Sequence, residues 1–349
     1  MSAEANDKGK PPFYLDKSNV MVYTDAGGAL RPVESPADWR KRRAHILANM
    51  QLVMGETPGD EKKVPPDVRV LEEVELPGCV RKKITFASEE GDRVPAYLTM
   101  PLKLEGKAPG MVCLHPTSPY GKGMVLGLGD KPNRQYGLEL AQRGYVTLSP
   151  DYPTYGDYKV DVYTMGYASA TMKGIWNHMR AVDLLQSMPE VDGQRIGAIG
   201  HSLGGHNALF LAVFDARVRV AVTSCGFNAF PKYMGGNLAG WSHKGYMSRI
   251  AKVYGKDPAR MPFDFTEILA AIAPRPVFVN APTGDSNFEV SGVRDCLEAA
   301  APVYALLGAR EKLAAVHPNC AHDFPPETRE AAYTFIDKVL NHQPQTGAE

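Results

Sequence analysis

The chain reads as an α/β protein, a mostly parallel sheet with helices on both faces and a helical extension in front. Three observations predict it. From residue 110 onward, short apolar runs alternate with longer stretches whose apolar residues recur at helical spacing, as strand–helix units do. Ahead of them, Val80 to Ala87 and Val94 to Met100 flank a Glu90-Gly91-Asp92 turn, the pattern of antiparallel strands. In the middle stands Gly200-His201-Ser202-Leu203-Gly204-Gly205, between the apolar run Arg195-Ile196-Gly197-Ala198-Ile199 and a helix-compatible Asn207 to Phe214. That is the strand, sharp turn and helix which the G-x-S-x-G motif requires.

Residues 1 to about 35, rich in Lys, Asp, Gly and Pro, are expected to be a loosely ordered lead-in. Ser35-Pro36-Ala37-Asp38 then starts a helix, with Pro in the first turn. Trp39, Arg43, Ile46, Leu47, Met50 and Val53 give that helix an apolar stripe, and it ends near Gly55. The cluster Arg40-Lys41-Arg42-Arg43 is expected on its solvated face. After the antiparallel stretch from Val70 to Met100, Gly110 to Leu114 is a strand, Gly137 to Arg143 a helix and Tyr145 to Leu148 a strand. Ile175, Met179, Val182 and Leu185 mark one face of the next helix, before the run that ends at the glycine-rich turn. Val218 to Val222, Pro276 to Val279 and Leu313 to Val316 are further strands, and a last helix runs from about Glu327 to Leu340. The expected division is 1–69 as lead-in and extension, 70–342 as one catalytic domain with a long insertion near 226–265, and 343–349 as a tail.

Composition narrows the classes of function. An apolar fraction of 44% over 349 residues can bury a large core. Lys+Arg and Asp+Glu both number 39, so the footprint of a nucleic-acid or anionic-membrane binder is missing. No apolar run reaches the length of a membrane-spanning helix. Cys79, Cys113, Cys225, Cys296 and Cys320 are scattered without C-x-x-C spacing, which speaks against a disulfide framework and a zinc site. The opening Met1-Ser2-Ala3-Glu4-Ala5-Asn6 lacks the segments of a signal peptide, so a soluble, cytoplasmic protein is favoured, although a chain whose leader had been removed would read the same. No cofactor or metal is expected, and nothing matches a phosphate-binding loop, a dinucleotide fingerprint or a zinc-protease helix. Oligomeric state is not legible.

The chemistry follows from the turn. Ser202 sits where a strained turn exposes a hydroxyl, and it needs a histidine to take its proton and a carboxylate to orient that histidine. In this arrangement the partners come in the order Ser, acid, His. Asp285 is the first acid past the strand ending at Val279, ahead of Glu289 and Asp295. Past Val316 two histidines compete: His317 directly follows its strand, whereas His322 lies deeper in the loop and can swing back over Ser202. We take His322 as the base and Asp285 as its acid, with His201 and His206 as packing residues. An oxyanion needs N–H donors. Leu203 supplies one, and Thr117 the other, because Pro116 in the His115-Pro116-Thr117-Ser118 loop has no N–H. The long connections Asp151 to Tyr167 and Gly226 to Phe265 carry many aromatics, of which Tyr155 and Trp241, with His115, are the expected substrate contacts.

The elbow Gly200 to Gly205, the Thr283-Gly284-Asp285 turn and the Ala321-His322-Asp323-Phe324 segment together resemble the α/β-hydrolase superfamily. Within it the chain is similar to bacterial esterases of the dienelactone-hydrolase and acetyl-xylan-esterase-like branch, over residues 70 to 342. Dienelactone hydrolases proper carry cysteine where this chain has Ser202, so lactone hydrolysis of that kind is not expected. The resemblance implies a serine carboxylic-ester hydrolase, with an acylated or methyl-esterified carbohydrate or another small ester as substrate. Two rivals remain: a serine peptidase similar to prolyl oligopeptidases, for whose access-restricting domain the chain has no room, and a non-catalytic binding protein on the same scaffold, which would have lost a triad member.

Overall fold

The computed structural model describes residues 10–344; the first nine residues of the lead-in, including Met1 to Asn6, and the end of the tail lie outside the described residues. In order, the chain forms β1 (Val22–Thr24), β2 (Leu30–Pro32), α1 (Pro36–Met54), β3 (Arg69–Leu76), β4 (Cys79–Glu89), β5 (Asp92–Pro101), β6 (Ala108–Leu114), α2 (Tyr136–Gln142), β7 (Val146–Pro150) and α3 (Ala170–Ser187). There follow β8 (Val191–His201), α4 (Leu203–Phe214), β9 (Val218–Ser224), α5 (Arg249–Lys252), α6 (Phe265–Ile272), β10 (Val277–Asn280), α7 (Val290–Leu306), β11 (Leu313–Val316) and α8 (Pro326–Leu340).

Nine strands make one sheet in the order β11-β10-β9-β8-β6-β7-β5-β4-β3. The strands from β11 to β7 pair in parallel, and β5, β4 and β3 add an antiparallel edge. Alternate side chains go to opposite faces, as the two-residue period of a strand demands. Met111, Cys113, Ile199, Val220, Val222 and Phe278 pack under α2 and α8. Val112, Leu114, Ala198, Ala221, Val277 and Val279 pack on the other side, where α1, α3, α4, α6 and α7 contribute their apolar faces. Both faces are therefore dry, which is why these strands read as continuous apolar runs. Among the described residues no helix is long and apolar enough to cross a membrane.

The strand order reverses between β6 and β8, which are neighbours although β7 lies between them in sequence. Chains leaving the carboxyl ends of these two strands diverge to opposite sides and open a crevice, the usual ligand position of such sheets. Ser202 leaves β8 there, and Thr117 leaves β6.

The amino-terminal segment departs from expectation. Residues 10–35 are not loose: β1 and β2 pair as a hairpin, and Tyr14, Val20 and Val33 are buried. Helix α1 forms as expected, with Ser35 capping it through a bond from the Asp38 N–H. Its basic cluster is solvated only in half: Arg40 and Lys41 are exposed as expected, but Arg42 and Arg43 turn inward. Arg42 is wholly buried, bonded to Glu267 Oε1 at 2.5 Å and lying over the Tyr14 ring. Arg43 donates to the carbonyls of Ala271 and Val213. A long aliphatic stem lets arginine pass through an apolar stripe and end on buried acceptors, so charge alone does not mark the wet side. Here the two arginines fasten α1 to α6 and α4.

Candidate active site

The turn at Ser202 is built by steric necessity. Ser202 has φ +56° and ψ −118°, outside the regions that L-residues favour. Its N–H is held by the Ser224 carbonyl at 2.8 Å, and its own carbonyl accepts the Gly205 N–H at 2.9 Å. A side chain at Gly200 would stand 2.1 Å from the Gly204 carbonyl oxygen, and one at Gly204 would stand 1.9 Å from that of Leu114. Glycine at both positions is what lets β8, α4 and the end of β6 touch through their backbones. Tyr136 adds a clasp, its hydroxyl donating to the Leu114 carbonyl and accepting from the His201 N–H. The strain at Ser202 is thereby held in place from three directions.

Two of the predicted partners are brought together. His322 Nδ1 donates to Asp285 Oδ2 at 2.9 Å, and the other Asp285 oxygen accepts the N–H groups of Asn287 and Phe288 at 2.8 and 3.1 Å. Burial pushes the Asp285 carboxyl up, but the His322 bond and these two N–H donors outweigh it, and its pKa falls below the ordinary value. The carboxylate is thus ionised and fixed in orientation. The His322 ring lies 4.8 Å from that of His201, the residue before Ser202, which puts it over the elbow. No hydrogen bond joins His322 to Ser202 among the described residues; such contacts commonly tighten only when substrate binds.

The rejected candidates are engaged elsewhere. His317 Nδ1 donates to the Ala281 carbonyl, 2.9 Å away. Glu289 caps α7 through Ser291, and Asp295 pairs with Lys232 at 2.7 Å. His206 is buried and neutral: burial, opposed only by its bond to the Gly226 carbonyl, lowers its pKa to about 3. His201 is held neutral in the same way, by burial first and then by Arg134 and His322.

The Leu203 N–H is the first of helix α4 and has no helical carbonyl to meet. Thr117 stands exposed across the crevice, its hydroxyl bonded to Tyr246 at 2.6 Å and its N–H making no bond among the described residues. The loop it belongs to is pinned further on by a buried pair, Lys122 Nζ to Asp151 Oδ2 at 2.7 Å. Tyr155 is half-buried beside His115 and Tyr152, on the same side as Tyr246.

Two expected substrate contacts are corrected. His115 is 2% exposed and spends both ring nitrogens on backbone, Nδ1 on its neighbour Pro116 and Nε2 on the Tyr152 N–H. It ties the loop after β6 to the 151–167 connection and has no ring nitrogen left for a ligand. Trp241 is also 2% exposed, enclosed by His206, Phe230, Tyr233, Phe265 and Phe288. It is the core beneath the wall. We therefore expect Trp241→Ala to destabilise the fold by about 3–5 kcal/mol, as large buried aromatics do when truncated, and to lower activity on small and bulky esters alike; a normal melting temperature with selective loss on bulky esters would overturn this.

The sequence offered no signal for Arg134, which holds the His322 loop by bonding Asp323 and the His322 carbonyl. Nor did it show the row beneath that loop. Ser224 Oγ stands 2.8 Å from His201 Nδ1 and accepts from Asn280 Nδ2, which also reaches the Asp323 carbonyl.

Comparison with known proteins agrees with this architecture. Residues 156–308 match the family described as glucuronyl esterase of fungi. The protein YtaP of Bacillus subtilis (strain 168), which carries the description "putative hydrolase", is 27% identical over 71% of this chain and 84% of its own length. The 4-O-methyl-glucuronoyl methylesterase 1 of Wolfiporia cocos (strain MD-104) is 23% identical over 96% of this chain and 81% of its own. Among solved structures, a glucuronoyl esterase from Solibacter usitatus superposes with a TM-score of 0.68 at 20% identity, covering 96% of this chain and 100% of that one. The fold is that of the α/β-hydrolases, and the chain is similar to their carbohydrate-esterase members.

Proposed function

We propose that this serine carboxylic-ester hydrolase cleaves esters borne by carbohydrate, methyl esters of uronic acids foremost, through an acyl-enzyme on Ser202. The observation that carries the mechanism is the 2.9 Å bond between His322 Nδ1 and Asp285, beside a serine held at positive φ. With Nδ1 committed to donating, Nε2 of neutral His322 is the free acceptor. It takes the Ser202 proton as Oγ bonds to the ester carbonyl carbon. The carbonyl oxygen, now negative, is received by the N–H groups of Leu203 and Thr117. His322 returns the proton to the departing alcohol, and the C–O bond of the ester breaks. Water then repeats the sequence on the acyl-serine, releasing the acid and restoring the hydroxyl.

Supporting the carbohydrate substrate are the family match and the methylesterase relative, together with Tyr246 bonded to Thr117 and Tyr155 beside His115. Rings with polar tips suit a sugar, which presents both an apolar face and hydroxyls. The test is a substrate panel: the methyl ester of a glucuronoside, acetylated xylan, p-nitrophenyl acetate and a peptide anilide. We expect kcat/KM to be highest on the uronate methyl ester and no turnover of the anilide. Preference for acetylated xylan would transfer the reading to deacetylation, and anilide cleavage would overturn it in favour of a peptidase.

A further inference from the structure

Cys225 follows β9 directly, at φ +47°, and takes no part in the acyl transfer above. Its Sγ, a carboxylate oxygen of Asp285 and a ring nitrogen of His322 all lie within 4.8 Å of one another, the one such trio among the described residues. The thiol approaches the Asp323 carbonyl at 3.3 Å, while the Ser224 hydroxyl and the Asn280 amide stand 3.9 and 4.0 Å from the sulfur. We propose that Cys225, Asp285 and His322 form a binding site for a thiophilic divalent cation of the zinc class, and that an ion there shuts the esterase off.

The donor set makes the choice of ion. Thiolate and imidazole favour zinc-like ions, whereas magnesium and calcium require oxygen ligands throughout. Three protein ligands leave a fourth position for water in a tetrahedral shell. Charge also balances, because one thiolate and one carboxylate neutralise a divalent ion in a buried place. The Ser224 hydroxyl already faces the sulfur and can donate to a thiolate, as outer partners of metal ligands do, while both Asn280 amide hydrogens stay on Ser224 Oγ and the Asp323 carbonyl.

The shut-off follows from proton bookkeeping. On binding, Cys225 gives its proton to solvent. His322 ligates through Nδ1, so its own proton moves from Nδ1 to Nε2, and no other proton is gained or lost. Nε2 then carries hydrogen and cannot accept from Ser202. The ion thus imposes the unproductive tautomer while also occupying the acid. The binding rests on the three side chains alone, whereas the inhibition rests on the triad reading, and the two are measured separately.

The probe for binding is cobalt(II), whose bond to a thiolate adds a near-ultraviolet charge-transfer absorption. With the full chain we expect one cobalt per molecule with that absorption, displaced by zinc and absent in both Cys225→Ser and Cys225→Ala, while Cys320→Ser retains it. Melting temperatures establish that the variants fold. Zinc, but not magnesium or calcium, should abolish p-nitrophenyl acetate hydrolysis reversibly to EDTA, and loss of Cys225 should raise the inhibiting concentration at least about tenfold. No charge-transfer absorption, or one that survives loss of Cys225, overturns the site. Cobalt bound through Cys225 with unimpaired hydrolysis would uphold the site and overturn the shut-off, and with it the roles given to Asp285 and His322.

Discussion

Ser202→Ala and His322→Ala should each reduce turnover by about 10⁴ to 10⁶, and the double variant should be no worse than either single one. The non-additivity is the sharper part of the expectation. A nucleophile without its base and a base without its nucleophile fail at the same step, so the second loss removes nothing further. A fluorophosphonate should label the wild-type chain once and Ser202→Ala not at all. Neither variant should fall far in melting temperature: Ser202 is only half-buried, and the His322 ring is partly open to solvent. His317→Ala is the control, since its Nδ1 serves the Ala281 carbonyl and it should retain turnover. Labelling of Ser202→Ala would move the nucleophile elsewhere, and a collapse in His317→Ala with activity kept in His322→Ala would move the base.

The central parallel strands were legible because both faces of the sheet are buried there and their residues are mostly apolar, with Arg219 in β9 an exposed exception. The elbow was legible for a different reason: only glycine can stand where the Gly200 and Gly204 contacts stand, so close backbone approach is written as residue identity. Chain order and strand ends then sufficed to bring out Asp285 and His322, which the fold places 2.9 Å apart. Position along the chain, however, says nothing of which way a side chain turns. Trp241 and His115 lie at the right edge of the sheet, yet one faces the core and the other spends its ring on backbone. Helices α6 and α7 escaped as well. Helix α6 has only eight residues, buried throughout, and so lacks the wet face that makes periodicity visible; its Asp264 and Glu267 capping box was the available sign. Helix α7 carries Gly292 and Pro302, residues that ordinarily argue against a helix. Cysteine spacing, finally, could not register the proposed cation site, because spacing detects ligands close in sequence, whereas Cys225, Asp285 and His322 follow three different strands.

Asp285→Asn should lower turnover by up to about 10⁴ through the wrong imidazole tautomer. One oxygen of Asp285 accepts two N–H groups, at 2.8 and 3.1 Å, and the other accepts His322 Nδ1–H at 2.9 Å. An asparagine in the same place keeps its oxygen toward the two fixed backbone donors, because turning its amide nitrogen there would set donor against donor. Its NH₂ must then face His322, and Nδ1 can meet it only by giving up hydrogen and accepting. The proton moves to Nε2, the atom that has to receive the Ser202 proton. Shape and packing change little, so the melting temperature should fall only modestly, although a buried charged hydrogen bond is lost. The pH profile separates this from simple damage: as pH rises, activity should not recover, since the defect is a misplaced proton on neutral histidine and not a charged one. Glu289→Gln and Asp295→Asn, whose carboxylates serve Ser291 and Lys232, should stay near wild type. If either of them cripples the enzyme while Asp285→Asn does not, the orienting acid is that residue, at the start of α7 or within it.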